Sequence, residues 1–124
     1  MAMNAMVGDT GILSNRFNPL YRQFLKSGDV DRPTERFVFI DEHPDTINDG
    51  FFVNDLDTYS WGNLPGSYHN GGLNLSFADG HSETHHWSAD TVRPARQGGV
   101  GGTFAANPRT DFEWLKQRTS VRKP

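Results

Sequence analysis

Leu73-Asn74-Leu75-Ser76-Phe77-Ala78-Asp79-Gly80-His81-Ser82-Glu83-Thr84-His85-His86 reads as a β-hairpin, and this stretch decides the fold. Leu73, Leu75 and Phe77 alternate with Asn74, Ser76 and Ala78, the period of a half-buried strand. Asp79-Gly80 follows, and both residues tolerate the positive φ of a tight type I′ turn. A two-residue loop pairs Ala78 with His81, Ser76 with Glu83 and Asn74 with His85 on one face. The other face then carries Leu73, Leu75 and Phe77 together with Ser82, Thr84 and His86. On that pairing the apolar face sits on a core, and the polar face presents a row of His81, Glu83 and His85.

Working outward, Arg36-Phe37-Val38-Phe39-Ile40 is β-branched and aromatic on both faces and is expected to be a central strand. It ends abruptly in Asp41-Glu42-His43-Pro44-Asp45, where the proline stops it. Phe51-Phe52-Val53 is a second short strand after the turn at Ile47-Asn48-Asp49-Gly50. Asn18 as a cap, Pro19 at the first helical position and Gly28 after the last predict a short helix over 19–27. Its buried stripe would be Leu20 and Phe24, with Tyr21 and Leu25. Thr110-Asp111-Phe112-Glu113 has the form of a capping box and opens a terminal helix, 110–118, with Phe112 and Leu115 inward and Trp114 flanking. Residues 1–17 read as loop, with a short strand near Asn4–Val7. Residues 59–66 and 93–107 also read as loops, the second with a glycine-rich tip at 98–102. Residues 119–124 read as a frayed basic tail.

The expected fold is therefore α+β in a single domain over 1–124. A small antiparallel sheet from 36–41, 51–53, 73–78 and 81–87 is covered by the two helices. Nine Phe and three Trp among 124 residues point to an aromatic core. A net charge of −3 and the lack of a long basic run argue against nucleic acid as a partner. The chain has no cysteine, so disulfides and thiol chemistry are excluded. No apolar run approaches the ~18 residues of a membrane span, and no signal-peptide core is visible.

Several clusters could carry chemistry. Asp41, Glu42 and His43 stand where a rigid strand enters a loop, so they could do acid–base work or hold a metal; the plainer reading is a strand ending in polar residues. His81, Glu83 and His85 at alternate positions make a 2-His-1-carboxylate set suited to a transition metal, against the plainer reading of a solvated face. Asp45, Asp49, Asp55 and Asp57, with Asn48 and Asn54, form an oxygen-rich segment that could take Ca²⁺, although its spacing lacks the EF-hand pattern. Asp41, Glu42, Asp79 and Glu83 offer carboxylate pairs for glycoside hydrolysis. Trp61, Tyr68 and Trp87, with Tyr59, could stack on a sugar. No nucleophile elbow and no phosphate-binding glycine fingerprint is present.

His69, the nine residues Asn70 to Ala78, then Asp79-Gly80 form an H-X9-DG motif, continued by His81-Ser82-Glu83. In these residues the chain resembles the bacterial pseudopilin-like proteins with a prepilin-type processing-associated H-X9-DG domain. The likeness extends to Phe37-Val38-Phe39-Ile40-Asp41-Glu42-His43, Ile47-Asn48-Asp49-Gly50-Phe51-Phe52, Leu64-Pro65-Gly66-Ser67-Tyr68-His69 and the segment around Trp114-Leu115. It covers roughly residues 3–119. The resemblance implies a C-terminal α+β domain carried behind a prepilin-like leader and a long apolar helix. It also implies a place in a type II secretion or type IV pilus-like system of the bacterial cell envelope. Related major pseudopilins bind Ca²⁺ in a C-terminal loop. The leader and apolar helix are missing from the sequence as written, as expected of a fragment or of a reading frame that lost its anchor. The surface that the helix would cover is then open to self-association.

The expected function is thus a pseudopilin-like structural or binding module, with other subunits or its own copies as partners. The alternatives are a carbohydrate-active hydrolase working through Asp41, Glu42, His43 and Glu83, with His69, Trp61, Tyr68 and Trp87 as binding residues, and a metal-dependent binding protein using His81, Glu83 and His85.

Overall fold

Short strands run at Ala2–Asn4 (β1), Phe37–Ile40 (β2), Phe51–Phe52 (β3), Ser60–Trp61 (β4), Gly72–Phe77 (β5), Ser82–His86 (β6) and Phe104–Ala105 (β7); the β-branched and aromatic run accounts for β2 and hydrophobic alternation for β5. Among the described residues one α-helix, Arg109–Thr119 (α1), follows the last strand. The computed structural model describes residues 1–8, 17–43, 50–68, 70–88, 91, 104–106 and 109–123. Five strands form one sheet in the order β3-β1-β2-β5-β6, and β4 pairs with β7 in a separate ribbon. The architecture is α+β. β2 lies at the centre, as its composition suggests. The sheet is mixed rather than antiparallel, because β1 runs parallel to β3 while β1–β2, β2–β5 and β5–β6 are antiparallel.

One sheet face carries the core. Ala2, Ile40 and Leu75 lie across from one another on it, as do Phe37 and Phe77. A bulge between Phe37 and Phe39 turns both Phe37 and Ile40 inward, although three positions separate them. β2 is therefore not buried on both faces: Phe39 is 41% exposed. α1 lays Phe112 and Leu115 on the core face, where Trp61, Leu64, Leu73 and Trp87 complete the cluster. Asn4 is fully buried; its side-chain amide donates to the carbonyls of Phe37 and Thr119, and its oxygen accepts from the Met6 N–H. It ties the first strand to the second and to the end of the helix.

Further expectations are corrected. First, the hairpin loop has three residues, not two. Gly80 alone in the loop takes a positive φ, +96°, and its N–H donates to the Phe77 carbonyl. This is the turn that ends in one left-handed residue. The Ala78 and Asp79 N–H groups are spent on the Arg36 and Pro33 carbonyls, which fixes the tip against the segment before β2. The register moves by one: Leu75 faces Glu83 and Leu73 faces His85. A shift of one residue carries a strand's whole side-chain set to the other face. Glu83 and His85 therefore share the face of Leu73, Leu75 and Phe77.

Second, residues 19–27 do not form a helix; a single 3-10 turn occupies Ser27–Asp29. The Asn18 side chain does not cap a helix. It bonds the Asn54 carbonyl and the Leu56 N–H of a neighbouring loop. The Arg22 and Phe24 N–H groups go to the carbonyls of Val121 and Met6. The segment is an extended filler between residues 6–8 and 121–123. Tyr21 and Phe24 are buried, but Leu20 and Leu25 are 57% and 60% exposed. Third, the tail is not frayed: Arg122 bridges Tyr21, and Lys123 donates to the Leu20 carbonyl. Phe104–Ala105, expected as loop, pairs with Ser60–Trp61. The expected turn at 47–50 and glycine-rich tip at 98–102 fall wholly or mostly outside the described residues.

Candidate functional site

Asp41-Glu42-His43 continues the path of β2 beyond the sheet. Its partner is Leu64-Pro65-Gly66. The Asp41 carbonyl accepts from the Gly66 N–H at 2.7 Å, Glu42 bridges Pro65, and the His43 N–H donates to the Leu64 carbonyl at 2.8 Å. The backbones approach closely at Gly66, where an added Cβ would collide with the Tyr68 ring. The Gly66 carbonyl accepts from the Trp87 indole N–H at 3.0 Å, and the Tyr68 hydroxyl donates to the Glu42 carbonyl at 2.8 Å. The Asp41 carboxylate receives the Asn74 N–H at 3.4 Å, which joins this extension to β5. The segments around Asp41, Gly66, Asn74 and Trp87 are thus sewn together, 41–43 to 64–66 by main-chain bonds and the rest by side chains bonded to main-chain groups.

That geometry sorts the proposed catalytic residues. Glu42 and His43 are both 2% exposed, enclosed beneath the 64–68 segment, whereas Asp41 is half-buried. Glu83 lies on β6, exposed, and its carboxylate faces His81. The structure does not gather Asp41, Glu42, His43 and Glu83 around one open cleft.

The aromatic platform is corrected as well. Trp61 and Trp87 are core residues, in edge contact with each other at 6.4 Å, and Trp61 meets Phe112 at 4.9 Å. Neither can present a ring face to a sugar. Tyr68 is 55% exposed. His69 lies outside the described residues.

The His81, Glu83 and His85 row divides into two environments. His81 is held between two carboxylates: Nδ1 contacts Asp79, whose Oδ1 also accepts the His81 N–H, and Nε2 lies 3.3 Å from Glu83. The Asp79 hydrogen bond, with help from Glu83, raises the His81 pKa, and the same contact lowers that of Asp79. The imidazole stacks on Phe77 at 4.5 Å. His85 is instead stacked on Trp114 at 3.6 Å and meets the edge of Trp87. Burial there lowers its pKa, against a smaller raising effect of Asp111. The Arg118 guanidinium lies 3.9 Å from the centre of the same Trp114 ring. Two groups so close to one ring centre must occupy opposite faces, so Trp114 is sandwiched between His85 and Arg118. Sequence reasoning missed this stack, because the register that brings His85 under α1 depends on the loop length.

Among the described residues no three His, Asp or Glu side chains form a group that could hold a metal ion. Of the acidic segment, Asp45 and Asp49 lie outside the described residues. Asp55 accepts the Asp57 N–H at 3.1 Å. Asp57 takes the Tyr21 hydroxyl at 2.7 Å and faces Arg122 and Lys116. The Tyr21 bond, more than the two cations, lowers the Asp57 pKa. A carboxylate neutralised by two cations is a poor Ca²⁺ ligand. Another acid with a structural task is Asp111: from the first turn of α1 it accepts the Ser88 N–H and hydroxyl and the Thr91 hydroxyl, fixing the chain after β6.

Comparison of the chain with protein-family models, with curated proteins and with solved structures gives no match. Among the described residues, no helix is long and apolar enough to cross a membrane.

Proposed function

We propose that this chain is a pseudopilin-like structural or binding module of a type II secretion or type IV pilus-like system in the bacterial cell envelope. Its partners would be other pseudopilin-like subunits or further copies of itself. One observation carries the reading: the segments on which the resemblance rests are used as scaffold. Phe37 to His43 is bonded through its main chain to β5 and to Leu64 to Gly66, the Trp87 indole and the Tyr68 hydroxyl add bonds to main-chain carbonyls, and Asp79-Gly80 makes a turn. Residues so used define a shape rather than a reaction. The hydrolase alternative has less support, since Glu42 is enclosed and the Trp61 and Trp87 rings lie in the core. The metal-binding alternative has less support too, with His81 engaged by two carboxylates and His85 by Trp114.

The decisive experiment is cross-linking in cells of the source bacterium, followed by identification of the captured neighbours. Capture of pilin-like subunits or of the chain itself is expected. Turnover of a glycoside that disappears in a folded Asp41→Asn variant would overturn the reading. Chelator and added Ca²⁺ are expected to leave Tm unchanged, since a ligand stabilises only a fold that binds it.

A further inference from the structure

A hollow of about 360 Å³ lies between the segment before β2 and the C-terminal end of α1. Arg32, Glu35, Arg36, Gln117 and Arg118 line it. That volume is within the range of small-molecule sites, roughly 300–1,000 Å³. We propose that the hollow binds a phosphate group, free or carried by a small phosphomonoester, through Arg32 and Arg118.

The three guanidiniums are not equivalent. Arg36 is buried and spoken for. It grips the Asp31 carboxylate through Nε and Nη2 at 3.2 and 2.9 Å, and donates Nη1 to the Gln117 carbonyl. It builds the wall of the hollow by clamping the 31–36 segment to α1. Arg118 donates one N–H, from Nη1, to the Trp114 carbonyl at 3.0 Å and rests on the Trp114 ring. Among the described residues it has no carboxylate within ion-pair distance. Glu83 and Glu35 act on it only from farther away, and burial depresses its pKa. Arg32 has its side chain in solvent and reaches Glu35 only at 3.6 Å, beyond hydrogen-bond range. Its backbone is held in the left-handed region, φ 46°, uncommon for a residue with a side chain. The Glu35 N–H donates to its carbonyl at 2.8 Å and secures that bend.

Two guanidiniums with most of their donors unused among the described residues therefore border one hollow from different segments. A tetrahedral oxyanion can accept a fork from each, whereas a single carboxylate satisfies one. The surrounding field does not favour anions, because Glu35, Asp31 and Glu83 lie nearby and the C-terminus of α1 carries partial negative charge. Selection would come from guanidinium hydrogen bonds rather than from bulk attraction. This inference does not depend on the proposed envelope function.

The test is an NMR titration of the Arg Nε–H signals with inorganic phosphate and, separately, with phenyl phosphate. Sodium chloride at equal ionic strength and pH is the reference. Saturable shifts of the Arg32 and Arg118 signals are expected, and the tighter of the two titrants identifies the form of the ligand. Arg32→Gln removes an exposed side chain, so its fold should survive, as circular dichroism can verify; it should weaken binding at least about tenfold. Glu35→Gln should tighten binding a few-fold by releasing Arg32 from its neighbour. Shifts no larger than those in chloride would overturn the proposal, as would an Arg32→Gln protein that binds like the parent.

Discussion

A Cβ placed on Gly66 would lie 2.7 and 2.9 Å from the Tyr68 ring and 3.1 Å from the Asp41 carbonyl oxygen. The ring can swing away, but the carbonyl is held by the bonds that pair 41–43 with 64–66. Gly66→Ala is therefore expected to cost about 1–3 kcal/mol, the range for overpacking. A Tyr68→Ala background should return part of that cost; urea melts of the single and double variants give the coupling. The two histidines of β6 make a second prediction at this scale. His81 has a raised folded-state pKa, so its stabilising effect is complete below the ordinary value of 6.5 and is lost as pH rises through the raised one. His85 has a lowered one, so its stabilising effect is complete above 6.5 and is lost as pH falls through the lowered one. The titratable neighbours of His85, namely Asp111, Arg118, His86 and Glu83, act in opposite directions and leave burial dominant. His85→Phe should flatten the stability loss between about pH 7 and pH 5, and His81→Gln should flatten the loss on the alkaline side. Urea midpoints across pH for the three proteins would check both signs.

At the scale of the element, α1 is fastened to the hairpin by Trp114. The ring meets His85, Trp87 and Arg118. Trp114→Ala is expected to cost about 2–3 kcal/mol, below the full price of a buried aromatic because the ring is only half-buried. The same change should let the His85 pKa rise toward its ordinary value, visible in a proton NMR titration of the imidazole. A helix held elsewhere would leave that titration unmoved. How legible these elements were follows from where their information lies. The alternation of Leu73, Leu75 and Phe77, and the Phe112 and Leu115 spacing of α1, are local and read directly. The loop length between β5 and β6 is not local: the Ala78 and Asp79 N–H groups are taken by Arg36 and Pro33, and that decides the register. The 19–27 segment carried good helix punctuation, but its backbone donors found partners at Met6 and Val121, more than a dozen residues away in either direction. The candidate site suffered from the same effect. Asp41, Glu42 and His43 looked like a polar strand end, and only the pairing with Leu64-Pro65-Gly66 shows that Glu42 and His43 are inside.

For the whole molecule, Asn4 is the joint. Replacing it with alanine would strand the carbonyls of Phe37 and Thr119 and the N–H of Met6 in a buried place. Each unsatisfied group costs about 1–3 kcal/mol, so Asn4→Ala should lose about 3 kcal/mol or more and leave a marginal fold. A urea midpoint that falls with an unchanged m-value would show that the loss is one of stability and not of compactness. A variant that melts like the parent would mean that water reaches those groups.

The same joint bears on the order of folding. β1 lies between β2 and β3 and can pair with both early, but the Asn4 bond to the Thr119 carbonyl spans 115 residues of sequence. That bond closes only when the end of α1 docks on the sheet. Folding is then slow for the number of residues involved, as pairings distant in sequence require. Until α1 docks, the core face of Ala2–Asn4 and Phe37–Ile40 is the surface that a holding chaperone would need to cover.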